Sequence, residues 1–143
     1  MKIIHIITGL SDGGAEAVLY RLCSEDKINT HIVISLTEKG KYGSLLLEKD
    51  IQVHWLGMPR GRVALSGISK LYRLIQSLKP DVVQTWMYHA DLIGGLVARL
   101  AGTHKIYWGI HASSLEIGKS SWRTIVVAYI NALLSRWVPT GIV

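Results

Sequence analysis

The feature that most constrains the fold is a regular alternation of short apolar segments with helical patterns. The apolar segments are of strand length and rich in β-branched residues, and they lack the polar alternation of half-exposed strands. They lie at Lys2–Thr8, Thr30–Leu36, Gln52–Leu56, Val82–Trp86 and Lys105–Gly109, with a last one opening at Val138. Strands of this kind are typical of a parallel sheet that is buried on both faces.

Helical patterns fill the intervals between these strands. They cover Ala15–Cys23, Ser44–Lys49, Ile68–Leu78, Ala90–Leu100 and Trp122–Trp137. Pro80 marks the end of the third helix, and Gly102 ends the fourth as a C-terminal glycine cap. We therefore predict an α/β fold: a doubly wound, mostly parallel, Rossmann-like sheet with helices on both faces.

The bulk composition predicts a single globular domain over residues 1–143. Hydrophobic residues make up 49% and charged residues 18% of the chain, which excludes a disordered tail. The mean hydropathy of +0.28 is high for a water-exposed surface. We expect some apolar surface to be covered by a partner, for example in a homo-oligomer.

Neither apolar end segment of the chain predicts secretion or membrane insertion. The first strand turns polar at Ser11 without a cleavage site, and Ile125–Leu134 is well short of the ~20 residues that span a bilayer. The single cysteine, Cys23, has no partner for an internal disulfide and is predicted to be a buried apolar residue. The reducing cytoplasm is the expected compartment.

A glycine-rich turn, Thr8–Glu16, follows the first strand. Gly13 and Gly14 lack the Cβ atoms that would keep a diphosphate or a sugar away from the backbone, and the N-terminus of the following helix favours anions. The spacing matches neither GxGxxG nor a P-loop, which argues against dinucleotide enzymes and kinase-type phosphate sites. From the residues alone, a purely structural turn is an equal alternative.

Three parts of the sequence together resemble glycosyltransferase family 4, the retaining enzymes of GT-B architecture. These are Gly13–Glu16 after the first strand, Lys79–Thr85 followed by Tyr88–Gly94, and the strand end Tyr107–His111. The resemblance implies that Gly13 and Gly14 line a cleft near the donor diphosphate and the acceptor. It also implies that His111 contacts the donor sugar.

In that family a second Rossmann domain holds the nucleotide sugar and carries an E-x7-E motif, and this sequence ends before such a motif. We therefore expect the N-terminal, acceptor-side half of a GT-B enzyme, truncated and inactive as a fragment alone. No cofactor is implied.

The six histidines do not predict a metal site, because no two have i, i+4 or HxH spacing. His5, His31 and His54 lie in or beside strands and are predicted to be structural. His111 and His89 follow strand ends, where doubly wound sheets form their crevices. We expect His89 to contact the acceptor or to cap the following helix.

Tryptophans stand at three predicted strand ends, Trp55, Trp86 and Trp108, and are predicted to pack in the core or against another domain.

Basic residues are concentrated in one region, and Ile51–Pro80 contains no acidic residue. Its cations are Arg60, Arg62, Lys70, Arg73 and Lys79. Arg60 and Arg62 are our candidates for contact with an anionic acceptor, and the region is also suited to peripheral contact with an anionic membrane. Solvated surface charge is the alternative. Nucleic acid is not a predicted partner, because no nucleic-acid-binding motif accompanies the net charge of +6.

Together these features predict part of an enzyme that moves a hexose from a nucleotide sugar to a lipid-linked or polysaccharide acceptor. Two alternatives stay open at this point. One is a non-catalytic Rossmann-like module that binds an anionic ligand or a separate partner chain, and the other is a fragment of a GT-B nucleotide-sugar epimerase.

Overall fold

A computed structural model describes residues 1–59 and 62–109 of the chain, and the backbone of residues 141–142. The strands are β1 (Lys2–Ile7), β2 (Thr30–Ser35), β3 (Gln52–Trp55), β4 (Val82–Trp86), β5 (Ile106–Gly109) and β6 (Gly141–Ile142). The helices are α1 (Gly14–Glu25), α2 (Gly40–Glu48), α3 (Leu65–Leu78) and α4 (Tyr88–Leu100).

All neighbouring strands pair in parallel, in the order β3-β2-β1-β4-β5-β6. From β1 the chain builds outward to β3, then returns to the other side of β1 and builds outward again from β4. The predicted doubly wound, parallel Rossmann-like sheet is therefore confirmed.

The observed helices begin earlier than the apolar periodicity predicts. Helix α2 starts at Gly40 instead of Ser44, α3 at Leu65 instead of Ile68, and α4 at Tyr88 instead of Ala90. Periodicity detects the turns that pack on the sheet, whereas most of the residues added at these helix starts are exposed or half-buried. The predicted helix Trp122–Trp137 lies outside the described residues.

The core has two layers because successive strand residues point to opposite faces of the sheet. In β1, Ile4 and Ile6 face the layer under α3 and α4, while Ile7 faces the layer under α1 and α2. Helix α4 packs closely on β1, since a Cβ on Gly94 would lie 2.9 Å from Ile6 Cγ2. The sheet is thus covered by helices on both faces.

The predicted glycine cap of α4 is confirmed. Gly102 has a φ of +94°, its N–H bonds to the carbonyl of Arg99 at 3.1 Å, and the N–H of Thr103 bonds to the carbonyl of Ala98 at 3.0 Å. This pair of bonds is a Schellman motif, which satisfies carbonyls that the end of the helix leaves free.

One carboxyl group is enclosed in the core beside the start of α4. Thr85 Oγ1 donates a hydrogen bond to Asp91 Oδ1 at 2.5 Å, and Asp91 Oδ2 has no partner among the described residues. Burial raises the pKa of Asp91 to about 7, and the Thr85 hydrogen bond offsets only part of that shift. The carboxyl group therefore titrates in the neutral range.

The Asp91 carboxyl predicts a specific pH dependence of stability. Because its folded-state pKa is raised, the folded protein holds the proton more tightly, and the stability contributed at low pH is lost as pH rises from about 4 to about 7. Asp91→Asn keeps an oxygen for Thr85 and does not ionise. In wild type we expect the free energy of unfolding to fall by about 1 kcal/mol per pH unit over this range. In Asp91→Asn we expect no such fall.

Urea unfolding of wild type and Asp91→Asn between pH 4 and pH 8 measures the difference. Asp12→Asn, at an exposed carboxylate, is the control and should follow wild type. A constant offset between wild type and Asp91→Asn across this range would contradict the prediction.

Candidate functional site

The chain reverses its direction of sheet building between β1 and β4. Doubly wound sheets place their ligand crevice outside the carboxyl ends of the strands at such a point, which makes this edge the candidate crevice. Ile7 pairs with Trp86 at the end of the two strands. The glycine loop therefore leaves the sheet beside the turn at Met87. The structure places Gly13, Gly14 and His89 at this one edge.

The glycine loop leads directly into α1, with Gly13 as its N-cap. We call Gly13, Gly14 and the first turn of α1 the glycine mouth. A Cβ on Gly14 would meet nothing within 4 Å, so its face is open to a ligand. The first N–H groups of a helix have no partner inside the helix, and they point toward this mouth.

Glu16 is a site residue that sequence reasoning missed. It lies in the first turn of α1 and is 7% exposed. Its Oε1 lies 3.1 Å from the position that a Cβ on Gly13 would take, and Oε2 lies closer still. An acidic residue three positions after a helix N-cap is the pattern that could have revealed it.

The other side of the crevice is a strained turn. Met87, the N-cap of α4, has φ +74° and ψ +155°, a region almost restricted to glycine. Its carbonyl accepts the N–H of Asp91 at 2.8 Å, and its N–H donates to the carbonyl of Gly109 at 3.3 Å. Strain of this kind typically costs about 1–3 kcal/mol and is common at functional sites.

His89 is the second residue of α4, so it lies within the first turn and does not cap the helix. Burial lowers its pKa below the ordinary histidine value. The neutral ring is therefore favoured, and a neutral imidazole has one hydrogen-bond donor and one acceptor for a ligand.

Of the three remaining predicted site residues, the structure describes one, Arg62. His111 and Arg60 lie outside the described residues. Arg62 is exposed on the connection between β3 and α3, where its N–H bonds to the carbonyl of Pro59 at 3.1 Å. The sheet order puts β2 between this region and β1.

A groove of about 590 Å³ runs between β3 and α3. It is lined by Val53, His54, Trp55, Leu56, Lys70, Arg73, Leu74 and Ser77. Trp86 and Trp108 are buried in the core as predicted, whereas Trp55 is 48% exposed and does not pack in the core, so its packing against another domain stays a prediction. Lys39 Nζ lies 5.5 Å from the centre of the Trp55 ring. Trp55 is exposed because β3 forms the edge of the sheet.

Beneath α1, His5 and His31 form a buried hydrogen-bonded chain. Trp86 Nε1 donates to His5 Nδ1 at 3.2 Å, which places the His5 proton on Nε2. His5 Nε2 then donates to His31 Nδ1 at 2.9 Å, and His31 Nε2 donates to Asp26 Oδ2 at 3.0 Å. Burial, with a smaller contribution from His31, lowers the pKa of His5 to about 3.

The same region brings together metal-ligand atoms that sequence spacing did not reveal. Side chains of His5, Cys23 and His31 place such atoms within 4.8 Å of one another. A metal on His5 Nε2 would require a proton on Nδ1, which would then face the N–H of Trp86. Burial, and to a lesser extent Asp26, raises the pKa of the Cys23 thiol to about 12. This donor set favours a structural hydrogen-bond network over a metal centre.

The model for Glycosyltransferase Family 4 matches residues 12–139, from the glycine loop through the β4–α4 connection and beyond β5. The chain belongs to glycosyltransferase family 4. A comparison with curated protein sequences finds no match.

Solved structures agree with the family 4 assignment at the level of fold. HepE from Anabaena, in complex with UDP, superimposes with a TM-score of 0.76 at 21% identity, over 99% of this chain and 37% of HepE. MurG from Acinetobacter baumannii gives 0.64 at 21% identity, over 99% of this chain and 39% of MurG. The galactosyltransferase WaaB gives 0.54 at 18% identity, over 76% of this chain and 32% of WaaB.

The chain thus spans less than two fifths of these neighbours, and its fold corresponds to the N-terminal half of their GT-B architecture. None of the helices that the structure describes combines the length and the hydropathy that a membrane-spanning segment requires.

The buried histidine chain gives a prediction for stability. His5→Leu removes the two buried hydrogen bonds that join His5 to Trp86 Nε1 and to His31 Nδ1, so we expect a loss of roughly 2–4 kcal/mol in the free energy of unfolding. His54→Leu is the control, because among the described residues His54 bonds to the exposed side chain of Gln52 alone, and should change stability by less than about 0.5 kcal/mol.

Urea unfolding measures both variants, and added Zn²⁺ tests the metal alternative. We expect Zn²⁺ to leave the melting temperature of wild type unchanged. A Zn²⁺-dependent rise in wild type that His5→Leu abolishes would show that the cluster is a metal site.

Proposed function

We propose that this chain forms the acceptor-side domain of a retaining glycosyltransferase that moves a hexose from a nucleotide sugar to a lipid-linked or polysaccharide acceptor. The observation that carries the proposal is the crevice between β1 and β4, with the open backbone of Gly14 on one side and the neutral, half-buried His89 on the other. Family 4 membership supports it, and HepE has been solved with UDP and glucose bound.

Each site residue has a proposed role in this reaction. The N–H groups at Gly14 meet the donor diphosphate, where they stabilise the charge that develops on the leaving phosphate. His89 exchanges hydrogen bonds with acceptor hydroxyls, and Arg60 and Arg62 contact an anionic acceptor. His111 positions the donor sugar. A second Rossmann domain with the E-x7-E motif supplies the nucleotide site.

Saccharide binding at the glycine mouth is the test of this proposal. Methyl α-D-glucopyranoside added to the ¹⁵N-labelled chain should shift the amide signals of Gly14, Met87 and His89. UDP should shift Gly14 alone among them, through its diphosphate, because the uridine site belongs to the second domain, and UDP-glucose should not be turned over. Gly14→Val fills the open face and should weaken glucoside binding at least about tenfold.

Arg21→Ala, further along α1 and exposed, is the control and should bind as wild type does. Glucoside-dependent shifts that cluster elsewhere, for instance along the β3–α3 groove, would overturn the proposed site. Turnover of UDP-glucose by the chain alone would overturn its assignment as an acceptor-side domain.

A second surface supports cytoplasmic, peripheral contact with an anionic membrane. Val63 and Leu65 are 55% and 84% exposed at the start of α3. Arg62 is exposed beside them, and Lys70 and Arg73 lie further along the helix. Apolar tips surrounded by cations suit a negatively charged lipid surface, where each cation contributes about 1 kcal/mol.

Vesicle co-sedimentation tests this contact. We expect binding to vesicles that contain phosphatidylglycerol and not to pure phosphatidylcholine, with Leu65→Asp reducing the bound fraction at least about fivefold. Val18→Asp introduces the same charge at an exposed apolar position on α1 and should leave binding nearly unchanged. Equal losses in both variants, or no binding by wild type, would refute membrane contact through α3.

A further inference from the structure

We propose that the carboxylate of Glu16 binds saccharide hydroxyl groups at the glycine mouth and excludes phosphate from the Gly13 side of it. The inference rests on the proposed function and specifies which ligand group binds beside Gly13 and which beside Gly14. The donor diphosphate is then restricted to the open face of Gly14, with an uncharged part of a sugar beside Gly13.

The first observation is a buried acidic group without a partner. Glu16 is 7% exposed, and within the described part of the chain its carboxylate makes neither a hydrogen bond nor an ion pair. The carboxylate lies over the backbone of Gly13, at the mouth itself. A second polar atom at the same edge, Thr8 Oγ1, is also buried without a partner among these residues. Buried polar atoms are normally satisfied, so Thr8 Oγ1 points to a ligand at this edge, where the unpaired Glu16 carboxylate also lies.

The second observation concerns why residue 13 is glycine. Its φ of −149° and ψ of 170° are extended values that any residue adopts, so backbone conformation does not require glycine here. The position of the missing Cβ is instead occupied by the Glu16 carboxylate. Gly13 therefore provides the space in which this carboxylate sits. Gly14, by contrast, leaves its Cβ position empty.

The chemistry of a carboxylate decides which ligand fits. An ionised carboxylate only accepts hydrogen bonds, and a sugar hydroxyl is a suitable donor. A phosphate in contact with it would be repelled, and at the effective dielectric of a protein surface this repulsion exceeds the attraction of a helix N-terminus for an anion. A saccharide hydroxyl is therefore favoured beside Gly13, although a bare helix N-terminus would favour phosphate.

A structural role for Glu16 predicts a different outcome. At the third position of α1, a glutamate or a glutamine stabilises a helix start in the manner of a capping box. Glu16→Gln would then change neither the affinity for the saccharide nor the affinity for phosphate selectively. In the proposed role, the same variant loses the charge that distinguishes a hydroxyl from a phosphate, so the two affinities move in opposite directions.

The experiment compares two probes, methyl α-D-glucopyranoside and inorganic diphosphate, by amide shift titration of the ¹⁵N-labelled chain. We expect Glu16→Gln to weaken glucoside binding about tenfold and to strengthen diphosphate binding at least about fivefold. Gly13→Ala should act in the same sense, because its Cβ displaces the carboxylate from the mouth. Glu25→Gln removes the same charge from an exposed position on α1 and should change neither affinity more than about twofold.

Circular dichroism confirms that each variant is folded before titration. Glucoside binding that is unchanged in Glu16→Gln, or two affinities that fall together, would overturn the role of Glu16 and leave the proposed function standing. Equal effects of Glu16→Gln and Glu25→Gln would show that the change comes from the general surface charge, and would also overturn the role of Glu16. If the glucoside shifts no amide at the mouth of wild type, both this inference and the proposed function fail.

Discussion

The structure depends on β1, a strand that is buried on both faces and paired on both edges, with β2 and with β4. Such a strand is tolerated only if every polar group on it has a partner, and His5 is the critical one. Its ring links Trp86 at the end of β4 to His31 in β2 and, through His31, to Asp26 after α1. One hydrogen-bonded chain thus joins the central strands to the helix that carries the glycine mouth.

That arrangement explains how a stable core supports an open and partly strained site. The chain at Trp86 is held by its indole N–H, and the next residue, Met87, adopts a conformation that a side chain normally avoids. Strain persists only where surrounding contacts determine the backbone more strongly than the local preference does. The buried contacts under α1 and α4 supply that constraint. One face of the crevice is therefore formed by the exposed amides at the start of α1, and the other by the strained turn at Met87.

Family 4 membership and the fold are the basis of our proposal of a domain that works against a second one. The neighbours of known structure are each more than twice as long as this chain, which superimposes on the N-terminal part of a GT-B architecture. In our proposal the crevice at β1 and β4 faces the donor, while the apolar and basic start of α3 faces a membrane. Both lie at the carboxyl edge of the sheet, because α3 begins where the connection from β3 ends. An acceptor anchored in a membrane would reach the crevice along this edge.

The sequence by itself determined the order and type of the elements, the parallel sheet, the α4 glycine cap and the family. These depend on periodicity, on glycine and proline chemistry, and on short motifs, all of which are local along the chain. Only the tertiary structure decided that Glu16 fills the Cβ position of Gly13, that Met87 is strained, and that Trp55 is exposed on an edge strand. It likewise brought His5, Cys23 and His31 together from β1, α1 and β2. These features arise where residues distant in sequence meet, and sequence spacing carries no information about such contacts until the sheet order is known.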